Sequence, residues 1–352
     1  MSVLNITKAA PFTHAPNTTQ SIMLTVLLAL APATLFDAWL FGWPAIFMFI
    51  LTVGFCLLLE AGCLILQNKP LTPSLTDGSV VLTGWLLAMS LPPYAPWWIS
   101  LLGAIFAVVL AKQLFGGIGQ NVFNPAMVGR VALLVSFPLQ MTAWVKPSSA
   151  PGFVESLGIT FGHASLDGIS AASALGYVKT ELSRGVPVSE SVHHLPALSD
   201  MVLGIHPGSF GETSAILILL GGLFLMARKV ISWHVPVSVI GTIVVLSGLA
   251  SLADPARFAG PEFHLFAGAT FLGAFFIATD YVTSPVSKQG QLVYGAGVGF
   301  FTWLIRTFAG YPEGMAFAVL LMNTLTPIID HHIRPRAFGR TRKGEPLPVK
   351  GE

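Results

Sequence analysis

Residues 21–66 read SIMLTVLLALAPATLFDAWLFGWPAIFMFILTVGFCLLLEAGCLIL, and this stretch decides the fold class. Asp37 and Glu60 are its only charged residues, and Gly42 divides it into two apolar runs. A helix that crosses a bilayer needs roughly 20 consecutive apolar residues. The stretch therefore predicts two successive transmembrane helices, at 21–41 and 43–66.

The composition of the whole chain supports a membrane protein. Hydrophobic residues make up 53% of it and charged residues 10%, whereas soluble domains are about a quarter charged. A formal charge of +2 is too small to indicate a nucleic-acid partner. Cys56 and Cys63 do not form a CxxC pair, which argues against a metal or iron–sulfur site held by this chain alone.

Further apolar runs predict an all-α integral membrane protein of about ten transmembrane helices. The run at 77–92 is short and ends at Pro92 and Pro93, which favours a shortened or broken helix. The remaining predicted spans are 96–114, 127–145, 212–228, 234–253, 263–280, 290–309 and 313–331.

The distribution of Lys and Arg predicts the orientation, because short cytoplasmic loops are enriched in these residues. Residues 1–20 lack a signal-peptide pattern. Placing the N-terminus in the cytoplasm puts most loop cations inside, together with the C-terminal tail. Those cations are Lys69, Lys112, Arg130, Arg228, Lys229 and Lys288. The predicted parts are a cytoplasmic segment 1–20, a first membrane half 21–145, a periplasmic loop 146–211, a second half 212–331 and a basic cytoplasmic tail 332–352.

A weak internal repeat divides the membrane region. Residues 111–134 read AKQLFGGIGQNVFNPAMVGRVALL and residues 305–323 read IRTFAGYPEGMAFAVLLMN. Each has an apolar helix, a base, a Gly-containing polar loop and a second apolar helix. This predicts two halves of five helices, which are inverted relative to each other because five is odd. The alternative is two Gly-rich segments of similar composition.

Two polar segments are candidate cofactor sites. In GGIGQNVFNPA at 116–126, Asn121 and Asn124 precede a helix, and amide side chains can pair with the edge of a flavin ring. The alternative is a tight loop with Asn caps. The outer-loop turn DGISAASA at 167–174 presents small hydroxyl residues; its alternative is an ordinary surface loop.

Acidic residues in apolar runs are candidates for ion coupling, because burying a charge in the membrane is costly. Glu60 is the deepest and is the first candidate for a proton or cation step; Asp280 is the second. The other acids, Asp37, Glu313 and Asp330, lie near predicted helix ends, as Asp280 does, and solvation there is the alternative for all four.

Five motifs together resemble a known family. They are FGGIGQNVFNPAM, DGISAAS, FLGAFFIATDYVTSP, RTFAGYPEGMAFAVLLMN and PIIDHHIRPR. The chain resembles, over nearly its whole length, the family of the D-type membrane component of the Rnf ion-translocating oxidoreductase complex. The same family includes the B-type component of the sodium-pumping NADH:quinone reductase, which is the alternative; the short N-terminus and tail favour the Rnf type.

The resemblance implies an FMN joined through its phosphate to a hydroxyl side chain of the outer loop. An FMN transferase makes this bond and recognises an Asp six residues before the acceptor, which here gives Asp167 and Ser173. The family usually has Thr at the acceptor, and serine forms the same phosphoester. Thr270 also matches part of the motif, but it lies in a predicted span and His264 replaces the Asp. A second flavin, riboflavin, is implied near Asn121 and Asn124.

The resemblance also implies the activity. Such a chain passes electrons through a flavin, between ferredoxin or flavodoxin and NAD, in a complex that moves Na⁺ or H⁺. Its partners are the A, B, C, E and G components of the Rnf complex and the transferase, in the bacterial inner membrane. A membrane transporter without redox chemistry is the competing class, and it would not require the Asp167 and Ser173 pair.

Overall fold

The computed structural model describes residues 18–147, 151–162, 170–212, 214–335 and 339. Helices dominate this part of the chain. Those before the long connecting segment are α1 (Thr19–Phe41), α2 (Trp43–Leu66), α3 (Leu71–Thr76), α4 (Ser79–Ser90), α5 (Trp97–Ala104), a π-helix (Ile105–Gln113), α6 (Pro125–Ser136) and α7 (Pro138–Met141).

The connecting segment and the second half are also helical. Their helices are α8 (Phe153–Phe161), α9 (Ala174–Ser183), α10 (Val188–Ser191), a 3₁₀ turn (Val192–His194), α11 (Leu198–Leu203), α12 (Ala215–Ala227), α13 (His234–Ala253), α14 (Pro261–Phe266), α15 (Thr270–Leu272), a π-helix (Gly273–Ile277), α16 (Lys288–Phe308) and α17 (Met315–His332).

Several of these helices have the length and composition of membrane spans. Among the described residues, α1, α2 and α13 are each long and apolar enough to cross a bilayer, and four shorter apolar helices accompany them. Their outer faces carry exposed leucines, such as Leu28 at 67%, Leu35 at 71% and Leu58 at 70% exposure. Leucines this exposed along a whole helix face suit contact with lipid rather than water. The chain is a helical, multi-pass membrane protein.

The predicted span at 127–145 was too long. Helix α6 ends at Ser136, because Pro138 follows it and disfavours helical conformation at the preceding residue. Beyond it, β1 (Trp144–Val145) pairs antiparallel with β2 (Ser170–Ala171). This short pairing is also a small departure from the predicted all-α class.

The predicted span at 263–280 is broken rather than continuous. Helix α14 ends at Phe266, and Gly268 has a φ of +73° before α15 begins at Thr270. A left-handed residue cannot continue a right-handed helix, so the break is fixed at this glycine. The shortness predicted for 77–92 is confirmed: α4 starts after Gly78, whose φ is +81°, and spans 12 residues.

Hydrogen bonds tie the loops together at the two ends of the helix bundle. We call the end where α1 begins proximal and the end where it stops distal. The proximal contacts are Lys69 Nζ to Gly116 O, Gln67 Nε2 to Gln113 Oε1, Ser232 Oγ to Gln291 Oε1 and Val286 N to Asp330 Oδ1. The distal contacts include Tyr94 Oη to Phe41 O and Val188 N to Ala256 O.

The segment between the two halves packs on the distal end. Leu175 and Val178 of α9 share a small buried cluster with Phe263 of α14. Lys179 extends from α9 to the end of α16, where its Nζ donates to the carbonyls of Arg306 and Tyr311 at 3.1 and 2.9 Å. A lysine at these carbonyls satisfies acceptors that the helix leaves without partners, so α9 is fixed to the second half.

Candidate cofactor and ion-coupling sites

One proximal cavity brings together three of the residues predicted from the sequence. Asn121, Asn124 and Asp280 all line it, and Lys112 and Ser79 contribute further polar groups. The rest of the wall is mainly apolar, with aliphatic and aromatic side chains from both halves; these include Ile22, Val26, Leu82, Leu86, Phe275 and Phe276. A mostly apolar cavity with a few convergent polar groups is the usual form of a cofactor site.

Asn124 is placed at the cavity by three hydrogen bonds. Its side chain caps α6 by accepting from Met127 N at 3.3 Å, and its Nδ2 donates to Ile277 O at 3.4 Å. Its backbone N–H donates to Asn323 Oδ1 at 3.1 Å. The loop-and-cap alternative is therefore confirmed for Asn124, and flavin contact stays a prediction.

Asn121 lies in the same loop and is less constrained. Its Nδ2 donates to Phe123 O at 3.0 Å. Gly116, Gly117 and Gly119 before it all have positive φ, which lets the chain turn sharply from the π-helix to α6. The loop thus presents Asn121 at the cavity wall.

Glu60 is buried, as predicted, and it has a partner that the sequence did not reveal. Lys112 Nζ lies 2.9 Å from Glu60 Oε1 and donates to Ser79 Oγ at 2.9 Å. Both charged residues are 2% exposed. Lys112 and Arg130 flank the 113–127 loop, as predicted, but neither is solvated: Arg130 is 4% exposed, with its guanidinium over the Trp144 ring. Because Lys112 also lines the cavity, the ion pair links Glu60 to it.

Asp280 closes the turn that follows the second π-helix. Its Oδ1 accepts from Val282 N at 3.4 Å and its Oδ2 accepts from Thr283 Oγ1 at 3.1 Å. The carboxylate is thus held beside the cavity by its own turn.

The alternative for the other acids was solvation near helix ends, and the structure agrees with it for only one of the three. Asp330 is partly exposed, but Asp37 is 0% and Glu313 9% exposed. Neither carboxylate oxygen of Asp37 has a hydrogen-bond partner among the described residues. The prediction failed for these two because hydropathy gives the depth of a residue along a helix and not the face on which it lies.

Ser173 lies at the distal end, across the bundle from the cavity. It is the N-cap of α9, and its Oγ accepts from Gly176 N at 3.2 Å. A Cβ added at Gly176 would lie 3.2 Å from that oxygen, so glycine keeps the space beside the hydroxyl open. A phosphoester here would meet the N–H groups and positive dipole of a helix N-terminus. These residues fit a phosphate group; Asp167 lies outside the described residues.

A second buried ion pair, at the distal end, was not predicted from the sequence. Arg306 Nη2 lies 3.0 Å from Glu313 Oε1, and Arg306 Nη1 donates to Thr270 Oγ1 at 2.9 Å. Thr270 in turn donates to His264 O at 2.8 Å and is 0% exposed. Its hydroxyl thus takes part in two hydrogen bonds, and its rejection as the FMN acceptor stays a prediction. One feature of the sequence could have indicated this ion pair: a base at the end of an apolar run, with an acid in the turn that follows.

Known proteins resemble this chain along most of its length. The profile of the NQR2, RnfD, RnfE family matches residues 6–339. The chain belongs to this family. The resemblance found in the motifs is thereby confirmed.

Its relatives in the family include three proteins that are each named as the D component of an ion-translocating oxidoreductase complex. The chain is 49% identical to that of Halorhodospira halophila, covering 98% of both chains. It is 51% identical to that of Stutzerimonas stutzeri (93% of this chain, 94% of the relative) and 47% identical to that of Rhodobacter capsulatus (95% and 94%).

In this family member the predicted residues therefore occupy opposite ends of one bundle. Asn121, Asn124 and Asp280 meet at the proximal cavity, which Glu60 reaches through Lys112. Ser173 lies at the distal end, on the segment that joins the two halves.

Proposed function

We propose that this chain is the flavin-carrying membrane subunit of an Rnf-type electron transport complex. The complex would transfer electrons between ferredoxin or flavodoxin and NAD and couple this to movement of Na⁺ or H⁺. Its relatives are named as components of an ion-translocating oxidoreductase complex. The chain would act with the A, B, C, E and G components in the bacterial inner membrane and would be incomplete as an enzyme alone.

The observation that carries the proposal is the setting of Ser173. A serine hydroxyl at the N-terminus of a ten-residue helix, beside a glycine that has no side chain to crowd it, suits a phosphoester. FMN bound there supplies one- and two-electron redox chemistry. The chain's part is to hold the phosphate at α9, and α9 is fixed to the end of α16 through Lys179.

The proximal cavity is the proposed site of a second flavin, riboflavin. Asn121 would offer amide groups to the ring edge, and Asn124 would fix the loop from which Asn121 projects. The apolar wall, with Phe275 and Phe276, suits a flat aromatic ring. The polar groups would then lie at one side of the cavity, where they can orient such a ring.

Glu60 and Asp280 are the proposed ion-coupling residues. Both carboxylates stand next to the same cavity, one through Lys112 and the other directly. One oxygen of Glu60, Oε2, is buried without a partner among the described residues. That oxygen is free to accept a proton or to bind a cation when Lys112 moves.

We also propose ten membrane crossings in two inverted halves of five. The two buried ion pairs support this, because each base lies in the last turn of a helix and donates to a hydroxyl at the start of another, shortened helix. Lys112 bonds Ser79 at the proximal end and Arg306 bonds Thr270 at the distal end, each at 2.9 Å. If one half is inverted relative to the other, equivalent contacts of the two halves lie at opposite ends of the bundle. The N- and C-termini then lie on the same side of the membrane, and the proposed orientation makes that side the cytoplasm.

The parts proposed from this arrangement keep the sequence boundaries. They are the segment 1–20, the halves 21–145 and 212–331, the periplasmic loop 146–211 and the tail 332–352. The second candidate function is that of the B-type component of a sodium-pumping NADH:quinone reductase, since the family name also includes NQR2. Comparison of ferredoxin and quinone as electron partners of the assembled complex separates the two.

The test of covalent FMN uses the full chain produced together with an FMN transferase and FAD. Wild type should give one fluorescent band on a denaturing gel and a mass increase of one FMN. Ser173→Ala should be dark, and Ser173→Thr should stay fluorescent because threonine forms the same ester. Thr180→Ala, which removes an exposed hydroxyl of α9, is the matched control and should match wild type. A bright Ser173→Ala band would refute the attachment site.

Asp167 provides a further arm of the same experiment. Asp167→Ala should lower FMN loading without changing the amount of protein in the membrane. A variant loaded as fully as wild type would mean that the transferase recognises a different residue. A chain with no flavin in any of these samples would favour the non-redox transporter.

A further inference from the structure

A second cavity opens beside the first at the proximal end, where α12 ends and α13 and α16 begin. It shares Val230, Ile231, Thr279 and Tyr281 with the first cavity, but its wall is far more polar. Its characteristic side chains are Lys229, Ser232, Trp233, His234, Lys288 and Gln291. The structure therefore places two lysines from separate elements around one cavity.

The charge around this cavity is positive. Lys229 and Lys288 are exposed, Arg228 precedes Lys229 in the chain, and none of the described residues that line the cavity is acidic. The nearest acid along the chain, Asp280, directs both oxygens to its own turn. The excess of positive charge around the cavity favours an anionic ligand.

Uncharged hydrogen-bond donors near the cavity also favour an anion. Helix α13 begins at His234 without a side-chain cap, so its first N–H groups and positive dipole end face the same region. The His234 ring stacks on Trp233, with centroids 4.1 Å apart, and its Nδ1 is buried without a partner among the described residues. Ser232 is held beside the cavity by donating to Gln291 Oε1 at 2.6 Å. Phosphate oxygens can accept hydrogen bonds from the first N–H groups of α13 and from an Nδ1–H of His234, whereas the hydroxyl of Ser232 is engaged with Gln291.

The helix surface that leads away from the cavity is apolar and exposed. Trp233, directly before α13, is 53% exposed and Val237 on α13 is 54% exposed; Leu220 and Phe224 on α12 are 55% and 43% exposed. Tryptophan is enriched where a helix leaves the hydrocarbon region. A ligand with a charged head in the cavity could therefore extend acyl chains along these side chains, which a free phosphate could not do.

We propose that this cavity binds the phosphate of an anionic phospholipid of the cytoplasmic leaflet. Basic pockets between membrane helices on the cytoplasmic side suit lipid head groups. Assignment to that leaflet rests on the proposed orientation, whereas binding itself depends on neither the orientation nor the flavin. Lys229 and Lys288 hold the phosphate, and Trp233 marks the depth of the head group.

The experiment measures lipid binding to the full chain after delipidation in a neutral detergent. Native mass spectrometry counts lipids retained during titration with phosphatidylglycerol, phosphatidylcholine or inorganic phosphate. We expect phosphatidylglycerol to bind in preference to phosphatidylcholine. The Lys229→Gln/Lys288→Gln double variant should weaken its binding about tenfold or more, and the corresponding double substitution to Arg should retain it. These lysines are exposed, so the folded state should persist.

Lys69→Gln/Arg334→Gln is the matched control, because both are exposed cations of the proximal end that do not line this cavity. It should bind phosphatidylglycerol like wild type. Equal loss in both double variants would indicate nonspecific surface charge and overturn the site. Equal binding of the two lipids, or competition by inorganic phosphate at the same concentration as the lipid, would overturn the assignment to a phospholipid. Unchanged lipid binding by the Lys229→Gln/Lys288→Gln chain, with loss of other subunits when the same variant is purified as the assembled complex, would overturn it in favour of a subunit interface.

Discussion

At the scale of single residues, the ion pair of Glu60 and Lys112 is the most informative contact. Both groups are nearly inaccessible, and their separation of 2.9 Å lets each offset the desolvation of the other. Ser79 accepts from the same ammonium. Removing one partner of such a pair lowers the stability of the fold more than replacing both partners by uncharged residues, because the remaining partner is a buried, unpaired charge.

Lys112→Met should therefore destabilise the folded chain by about 3–5 kcal/mol. Glu60→Gln/Lys112→Met should recover most of that loss, since it leaves no unpaired charge. The measurement is the midpoint of thermal unfolding in detergent, with Lys69→Met, an exposed lysine of the same end, as the control. A double variant as unstable as Lys112→Met would show that the charge is not the cause.

Glu60→Gln alone separates stability from ion coupling. In the assembled complex it should reduce Na⁺ or H⁺ movement per electron transferred while flavin content per chain stays at the wild-type level. Normal ion movement with normal flavin content would remove Glu60 from the coupling mechanism.

His206 of the distal segment provides a pH-dependent test of burial. It is 2% exposed, its Nε2 has no partner among the described residues, and its Nδ1 lies 3.2 Å from Pro207 O. Burial lowers the pKa of His206 below its ordinary value of 6.5. The unfolded chain therefore binds a proton below pH 6.5 that the folded chain does not. Stability should be lost as the pH falls below 6.5, by at most about 1.4 kcal/mol per pH unit from this group.

The measurement compares thermal unfolding midpoints between pH 7.5 and 5.5. His206→Gln should lose less stability on acidification than wild type. His193→Gln, at an exposed position of the same segment, should resemble wild type. Equal acid sensitivity of His206→Gln and wild type would contradict a buried, neutral His206.

At the scale of elements, the broken helix around Gly268 connects the second half to its distal ion pair. The break lets Ala269 N donate to Glu313 Oε2 at 3.2 Å, while Arg306 bonds the start of α15. The carboxylate of Glu313 also accepts from Gly314 N and Met315 N at the start of α17. One acid and one base thus join three helix ends.

Gly268→Ala should prevent this arrangement from forming. A Cβ there would collide with Glu313 Oε2 and approach Arg306 Nη2 to 2.7 Å, and the φ of +73° disfavours any other residue. We expect little folded protein by fluorescence-detected size-exclusion chromatography. Gly260→Ala, with nothing within 4 Å of its added Cβ, should elute like wild type. A normal profile for Gly268→Ala would mean that α14 and α15 can rearrange freely.

The sequence predicted helix positions better than helix continuity. The limits of α1, α2 and α13 lie within two residues of the predicted spans, because long apolar runs are bounded by Gly42 and by polar loops. The break at Gly268 was missed because its neighbours are apolar, and hydropathy is insensitive to backbone torsion. Lys112 was misjudged for a related reason: its role depends on a partner 52 residues earlier in the chain.

At the scale of the whole molecule, the two ends of the bundle carry different proposed tasks. The proximal end holds the cavity with Asn121 and Asp280, and the distal end holds Ser173 on α9. Electrons that pass between two flavins at these positions would cross the membrane region. The orientation of the chain decides which flavin lies on which side of the membrane, and the proposal places the proximal loops in the cytoplasm and the 146–211 loop in the periplasm.

Cysteine labelling tests that orientation. Cys56→Ser and Cys63→Ser remove the native thiols, and single cysteines then replace exposed residues of each end. In intact cells, a membrane-impermeant maleimide should label cysteines at Arg184 and Arg257. It should reach those at Lys69 and Arg228 only after the cells are opened, because the inverted halves return the chain to the cytoplasm at both. Labelling of both Lys69→Cys and Arg228→Cys in intact cells would place the whole proximal end on the periplasmic side, together with both of its cavities.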